Sequence, residues 1–313
     1  MKRIISIVIC AILLLSAGAY AFFAPSSAGG TAETGENDTR ILRLWHIDSF
    51  EGGKGSRAAF LSRVASEFEK REENVYVMVR TLTLQGAAEA LQAGDVPDLL
   101  SFSCGLDGVA ENCHRLQYSF GGGEVGGGTY AYPWCAGKYY FFCLEDDFTA
   151  LSAETLVLSE GGNNLPAAAA ALSGIVGEVR SEDSTSAYVH FLNGKYRYML
   201  GTQRDVCRFQ TRGVNVFSKA IDAYGDLYQY IAVTTSDKNK ESLCGAFIDL
   251  LLSDEIQEGL SDIGMYSLKD SVADNTLSAF ASREGLSSAR EAAAEALQSG
   301  EIKILKSYLK TLN

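Results

Sequence analysis

Residues 226–268 have the sequence DLYQYIAVTTSDKNKESLCGAFIDLLLSDEIQEGLSDIGMYSL, which predicts a strand followed by two helices. The apolar, β-branched run at 228–235 favours a buried strand, and the polar turn at 236–240 supplies residue types that begin helices. One face of the first helix carries apolar side chains at helical spacing: Leu243, Phe247, Leu250 and Leu251. The second helix continues this stripe with Ile256, Leu260 and Ile263. Gly264 then ends the pattern.

Strands and helices also alternate nearer the N-terminus. Apolar runs predict strands at 41–46, Val75–Leu82 and Leu99–Phe102. The helix between the first two strands has a core face with residues at spacing four: Phe60, Val64 and Phe68. A shorter helix is expected at 85–93. This alternation predicts an α/β fold with a parallel sheet, whose binding sites lie beyond the carboxyl ends of its strands.

The middle and the end of the chain give further local predictions. The glycine-rich run GGGEVGGG at 121–128 lacks the Lys-Ser/Thr of a phosphate loop, so we expect a mobile connection there. An Ala-rich helix is expected within 165–179, and a polar loop at 181–186. Asn193-Gly194 is either a hairpin turn or the end of a helix. Two terminal helices, divided near Ser299-Gly300, are expected from residue 276 onward.

The N-terminus has the pattern of an export signal. Lys2 and Arg3 precede an apolar run at 4–15, and Ala19-Tyr20-Ala21 resembles a cleavage site, so we predict a signal peptide at 1–21 and a flexible tether at 22–39. Cys10 lies inside the apolar run, which argues against a lipid anchor. Uncleaved, the segment would tether the protein to the membrane. The net charge of −12 argues against nucleic-acid binding.

The cysteines after the signal segment are spread along the chain: Cys104, Cys113, Cys135, Cys143, Cys207 and Cys244. Export permits disulfides, and Cys104 with Cys113 is the favoured pair because both bracket one loop. The histidines are scattered, and the chain has no GxSxG, HExxH or phosphate-loop motif. We therefore expect no enzyme, no metal and no cofactor.

Four further segments have a family resemblance when they are taken in order with 226–268. They are LRLWHIDSFEGG at 42–53, GDVPDLLSF at 94–102, YAYPWCAGKYYFF at 130–142 and FLNGKYRYMLGTQRDVCRF at 191–209. Together they resemble the extracellular, periplasmic-type solute-binding proteins of ABC transporters, of the carbohydrate type. The resemblance implies the type II fold of this family, in which two α/β lobes are joined by hinge crossings. One lobe would comprise 40–132 and 225–270, and a reduced second lobe would comprise 133–224 and 271–313 with the C-terminal helices.

The same resemblance implies a ligand site at the ends of the matching segments. The implied ligand-binding residues are His46, Asp48, Ser49, Phe50, Glu51, Ser103, Cys104, Trp134, Cys135, Thr202, Gln203, Arg204, Asp205 and Tyr266. Trp134 or Phe50 would stack on a sugar face, and Arg204 could pair with a carboxylate or phosphate. Each has a structural alternative: Trp134 could belong to the core, and Arg204 could pair with Asp205 or another acid.

The function implied is capture of a small polar solute, a sugar or related compound, for an ABC permease. Such a protein would act outside the cytoplasmic membrane, extracellular or periplasmic, as a monomer. The alternative is a non-transport surface sensor or interaction protein with the same fold. The short second lobe and the absence of a lipid-anchor cysteine keep this alternative open.

Overall fold

A computed structural model describes residues 39–117, 122–268, 273 and 275–312. These residues belong to one compact unit, Thr39–Asn313. The predicted signal peptide and all of the predicted tether except Thr39, together with Cys10, lie outside the described residues. Within the described part of the chain, no helix has the length and apolar character needed to cross a bilayer.

The first sheet has five strands in the order β2-β1-β3-β12-β6. Its strands are β1 (Arg40–Ile47), β2 (Val75–Leu82), β3 (Leu99–Phe102), β6 (Tyr132–Ala136) and β12 (Tyr228–Val233). The first three strands are parallel, as predicted, whereas β12 is antiparallel to both β3 and β6. The parallel strands are connected by the helices α1 (Arg57–Arg71) and α2 (Leu84–Gln92), which the periodicity also predicted.

The 226–268 stretch folds as its sequence predicts. After β12, the helix α6 (Lys238–Leu251) begins at Asp237, whose side chain accepts a hydrogen bond from the Asn239 amide. A short helix α7 (Asp254–Glu258) and a 3-10 turn follow, and Gly264 ends them with a left-handed φ of 67°. The apolar stripe of α6 is buried, and Phe247 meets Phe68 of α1 edge-on at 5.4 Å between ring centroids.

The second sheet also has five strands, in the order β11-β7-β10-β8-β9. They are β7 (Tyr139–Cys143), β8 (Leu156–Glu160), β9 (Arg180–Asp183), β10 (Tyr198–Thr202) and β11 (Phe217–Ile221). The helices between them are α3 (Pro166–Leu172), α4 (Ser184–Leu192) and α5 (Gln203–Thr211). The two sheets give the two-lobed α/β architecture that the resemblance implied. β6 lies in the first sheet although the prediction divided the lobes after residue 132, and the lobe boundaries remain a prediction.

Two of the local predictions were wrong. The described part of 121–128 is a hairpin of β4 (Glu124–Val125) and β5 (Gly128–Thr129). Its turn, Gly126-Gly127, has φ values of 57° and 76°, and two positive φ values are what a tight hairpin requires. Residues 181–186 are no loop either, because the Asp183 side chain accepts from the amides of Thr185 and Ser186 and begins α4.

The predictions for the helix ends were better. Gly194 has a φ of 74° and ends α4, so the helix alternative for Asn193-Gly194 is correct. The terminal helices are α8 (Arg283–Ser299) and α9 (Ile302–Thr311), separated at Gly300 with a φ of 76°. The alanine-rich faces of α8 and α3 share one hydrophobic cluster.

The favoured disulfide is not formed. All cysteines after the signal segment are free, and Cys104 and Cys113 pack in different hydrophobic clusters. Burial raises the pKa of each of these two thiols to about 12. Both therefore behave as small apolar side chains of the core rather than as partners in a crosslink.

Candidate functional site

The loop after β1 lies directly against elements of the second sheet. The Asn163 amide donates to the Ser49 carbonyl oxygen at 2.8 Å. Gln203 Nε2 donates to the Glu51 carbonyl oxygen at 3.1 Å, and the Ser184 hydroxyl donates to Glu51 Oε1 at 3.1 Å. The end of the first strand and the start of α5, both predicted to line the ligand site, are thus brought together. We call this contact between the loop after β1 and the elements of the second sheet the join.

An ion pair between Glu51 and Arg204 crosses the same join. Both side chains are partly exposed, 27% for Glu51 and 37% for Arg204, so solvent reaches the pair. Burial lowers the pKa of Arg204, and the neighbouring Arg208 cation lowers it further. The ion pair of Arg204 is thus with Glu51 across the join, whereas Asp205 pairs with Arg208.

The other predicted residues at the start of α5 form the helix cap. The Thr202 hydroxyl accepts from the Arg204 amide at 3.3 Å, and Asp205 Oδ2 accepts from the Thr202 amide at 3.1 Å. This reciprocal pair satisfies two amides that the first turn leaves free. Burial raises the pKa of Asp205, and Arg208 Nη1 lies 3.2 Å from its Oδ1. Gln203 is fully buried.

A buried polar network lies behind the end of β1. His46 contacts Ser101 Oγ at 3.0 Å through Nδ1 and Asp48 Oδ1 at 2.8 Å through Nε2. Arg57 Nε donates to the same Asp48 oxygen at 3.0 Å. Burial alone would raise the pKa of Asp48, but the hydrogen bond from His46 and the Arg57 charge outweigh it and lower the pKa. The half-exposed Asp48 carboxylate is therefore held ionised at the rim of the join.

Trp134 lies in the core of the first sheet. None of its side chain is exposed; its indole ring stacks on Phe60 at 5.8 Å between centroids, and Nε1 donates to Ser101 Oγ at 3.0 Å. In this structure it presents no face to a solute. The side chains of five other predicted residues are also almost completely buried in the core of this half: His46, Phe50, Ser103, Cys104 and Cys135.

One hydroxyl at the join is left unsatisfied. Ser49 Oγ is buried and has no hydrogen-bond partner among the described residues. A buried polar group without a partner costs free energy, so such groups commonly mark a place where water or a ligand binds. Asn164 Oδ1, two residues before the start of α3, is in the same situation.

The chain crosses between the sheets at Gly137-Lys138 and at residues 222–227, and Tyr266 lies beside the first crossing. The Ala136 and Tyr266 backbones form an isolated bridge, and the Tyr266 hydroxyl lies 2.8 Å from that of Tyr140. The cavity at this point has about 90 Å³. Ligand sites for small molecules usually have about 300–1,000 Å³, so a solute would need the sheets to part.

A buried carboxyl group, that of Asp226, lies at the second crossing. Its oxygens accept from Tyr139 Oη at 2.8 Å, from the Leu165 amide at 2.6 Å and from Tyr224 Oη at 3.1 Å. Burial raises the pKa of Asp226 to about 6, and these hydrogen bonds only partly compensate. The carboxylate ties the returning chain to the first residue before α3.

Some contacts across the join could not be predicted from the family pattern. Ser184 contacts Glu51, and its place after the capping residue Asp183 was a signal that the predicted polar loop obscured. Asn163 and Tyr140 gave no local signal, because their roles depend on which segments meet in space. Among the described residues, no group of His, Cys, Asp and Glu is arranged to hold a metal ion.

Solved structures with similar architecture cover most of the chain. The sugar-binding protein MalE from Xanthomonas citri has a TM-score of 0.59 at 13% identity, over 87% of this chain and 96% of that one. This is the fold of the sugar-binding proteins of ABC transporters. At this identity the likeness shows the fold alone.

Other solute-binding structures agree. The galacto-N-biose/lacto-N-biose I-binding protein of Bifidobacterium longum, in complex with lacto-N-biose, has a TM-score of 0.56 at 12% identity, over 87% of this chain and 95% of that one. The substrate-binding domain of a putative molybdenum ABC transporter from Clostridium difficile has a TM-score of 0.50 at 13% identity, over 72% of this chain and 98% of that one. No protein-family model and no curated protein matches the chain. Among the predicted site residues, solvent reaches Asp48, Glu51, Arg204 and Tyr266.

Proposed function

We propose that this protein captures a small polar solute, a carbohydrate or a related compound, between its two sheets and delivers it to an ABC permease without chemical change. The observation that carries the proposal is the fold, shared over 87% of the chain with sugar-binding proteins. The polar groups at the join add support, because Ser49 Oγ and the Asp48 carboxylate suit the hydroxyl groups of a sugar.

The contacts across the join suggest how a solute would enter. Glu51, Ser184, Arg204 and Gln203 hold the halves together without a solute. A rotation at the two crossings would part these contacts, and the solute would replace them before the halves close again. The N-terminal export pattern supports a location outside the cytoplasmic membrane, and the protein would act there as a monomer.

A panel of solutes tests this proposal by thermal denaturation of the purified chain. A bound solute raises the melting temperature by mass action, equivalent to about 2.7 kcal/mol at a hundredfold excess over Kd. Arg204→Ala should reduce the rise, whereas Arg43→Ala, which removes an exposed cation paired with Asp95, should leave it unchanged. If no sugar, oligosaccharide, amino acid or peptide shifts the melting temperature, solute capture is refuted.

A surface sensor or interaction protein is the second candidate. The observation that favours it is the mutual pairing of the join residues, since Glu51 already occupies Arg204 and Ser184. The genes beside the coding sequence separate the candidates. Permease genes support import, and an adjacent sensor kinase supports signalling.

A further inference from the structure

An open pocket of about 240 Å³ lies where the turn after β1 meets one side of α5. Its lining residues are Gly53, Lys54, Arg204, Cys207, Arg208, Thr211 and Arg212. The five lining residues between Arg204 and Arg212 follow the spacing of one helix face, so the three arginines among them, on α5 and at its C-cap, project on the same side. We refer to this feature as the basic pocket.

The charge of the basic pocket is opposite to that of the whole chain. Four lining residues are cations and none of the described lining residues is acidic, whereas the chain has a net charge of −12. The two nearby carboxylates are engaged, because Glu51 pairs with Arg204 and the buried Asp205 pairs with Arg208. Within the described residues, Lys54 and Arg212 pair with no carboxylate.

The arginines are held in place although they repel one another. The guanidinium groups of Arg208 and Arg212 lie 4.7 Å and 5.2 Å from the centroid of the Tyr188 ring. Arg208 also donates to the Ser184 carbonyl oxygen at 3.1 Å. The pKa of Arg204 is lowered by burial and by the Arg208 charge. An anion in the pocket would relieve this repulsion and meet donors that are already oriented.

A carboxylate of the protein already lies at the edge of the basic pocket. The Glu51 carboxylate lies on the Arg204 guanidinium and accepts from the Ser184 hydroxyl at 3.1 Å. This carboxylate comes from the first lobe and Arg204 from the second, so an oxyanion here joins the two halves. A neutral sugar would provide no charge to take its place.

We propose that the basic pocket binds an oxyanion carried by the solute, so that the ligand is an acidic saccharide. The inference rests on the proposed function and narrows its substrate class. The anionic group lies between Lys54 and the arginine face of α5, and the rest of the saccharide extends along the join toward Asp48 and Ser49.

The test is isothermal titration calorimetry of the purified chain with saccharides of matched length. The ligands are a neutral oligosaccharide, a uronate oligosaccharide, a sulfated oligosaccharide, and sodium sulfate alone. We expect at least one acidic oligosaccharide to bind about tenfold more tightly than the neutral one, since a charged hydrogen bond contributes at least about that factor. Sodium chloride should weaken this preference because it screens exposed charges. The uronate and sulfated arms identify the anionic group.

Variants locate the binding. Lys54→Gln and Arg212→Gln should each lower the affinity for the acidic ligand by about tenfold and barely change the affinity for the neutral one. Lys219→Gln is the matched control, because it removes one cation from β11, outside the pocket. It should change neither of the two affinities. Because Lys54 and Arg212 are exposed, these variants should fold normally, which their melting temperatures check.

The outcomes distinguish the two levels of the proposal. Equal affinity for neutral and acidic saccharides would overturn the proposal that the basic pocket binds an oxyanion, and sugar capture would still stand. The same conclusion follows if Lys219→Gln and Arg212→Gln lower the affinity for the acidic ligand equally. If sulfate alone binds at Lys54 and Arg212 while no saccharide does, the anion site is supported and carbohydrate capture is refuted. If no ligand binds, both proposals fail.

Discussion

Glu51 of the loop after β1 and Arg204 of α5 form an ion pair across the join between the two sheets. A double-mutant cycle of Glu51→Gln and Arg204→Gln should give a coupling free energy of about 0.5–1 kcal/mol in urea unfolding, because the pair is only partly exposed. The exposed Arg43–Asp95 pair within the first lobe is the matched control and should couple less. A coupling no larger than that of the control would contradict a role for this contact in closing the join.

Trp134 should report on the core and not on the solute. Trp134→Ala should lower the free energy of unfolding by about 3–5 kcal/mol, because it empties a buried site against Phe60. Tyr76→Ala, at an exposed aromatic on β2, should change it by less than about 0.5 kcal/mol. Since Trp45 is also buried, iodide should quench the native fluorescence weakly. Strong quenching that a solute relieves would instead place a tryptophan at the ligand.

The raised pKa of Asp226 predicts that the free energy of unfolding depends on pH. Its pKa is raised to about 6 by burial, so the folded state binds its proton more tightly than the unfolded chain. The stabilisation by this group is complete below its unfolded pKa of about 4 and is lost as the pH rises through about 6, by up to about 3 kcal/mol. The difference in unfolding free energy between wild type and Asp226→Asn should therefore fall across this window.

Urea unfolding between pH 4 and 7.5 measures this difference, and Asp222→Asn is its control. Asp222 is near Asp226 in sequence but exposed and paired with Lys138. Its curve should run parallel to that of the wild type over the window. Parallel curves for Asp226→Asn as well would show that Asp226 titrates normally.

Thiol labelling should distinguish one cysteine from the buried ones. Cys207 is partly exposed in the basic pocket, whereas Cys104, Cys113, Cys135, Cys143 and Cys244 are buried. Burial raises the pKa of Cys207 too, but it raises that of Cys104, Cys113, Cys135 and Cys244 to about 12. Iodoacetamide, followed by mass spectrometry, should modify Cys207 first and the five buried cysteines only in urea. An acidic saccharide should slow the modification of Cys207. Early reaction of Cys104 would show that the join opens far more than this structure implies.

Two glycines should respond in opposite directions to alanine. Gly264 has a φ of 67°, and a Cβ there would lie 2.6 Å from Cys207 Sγ, so Gly264→Ala should destabilise by about 1–3 kcal/mol. Gly245 lies inside α6 with open space around it, so Gly245→Ala should stabilise by about 0.5–1 kcal/mol. Melting temperatures measure both. An unchanged melting temperature for Gly264→Ala would mean that the turn relaxes freely.

The sequence predicted the first sheet well because its signals are local. The alternation around Phe60 and Phe68, the polar turn before α6 and the glycine after Ile263 each determine an element without reference to distant residues. The strands β8, β9 and β11 were not predicted. β9 and β11 are sheet edges whose residues are mostly exposed, and they lack the apolar alternation that marks a strand.

The candidate site was predicted in its segments and less well in its side chains. The order of the family segments placed Glu51 and Arg204 at one join, and the structure brings them together. No sequence pattern states which side of a strand end faces solvent, so Trp134 and His46 entered the same set although both are buried. The basic pocket was missed for a related reason, since Lys54 and Arg212 are far apart in sequence and meet only through the fold.

All five strands of the second sheet come from one uninterrupted stretch of chain, residues 139–221, and the first sheet flanks it on both sides. Within the described residues, the chain passes between the strands of the two sheets at Gly137-Lys138 and at 222–227. This layout lets the stretch be exchanged as a unit, provided that the recipient supplies a helix equivalent to α8, which packs against α3. Transplanting 139–221 from this protein into another protein of the same architecture would carry α5 and its arginines along and leave Lys54 behind, which makes ligand selectivity a property shared by donor and recipient.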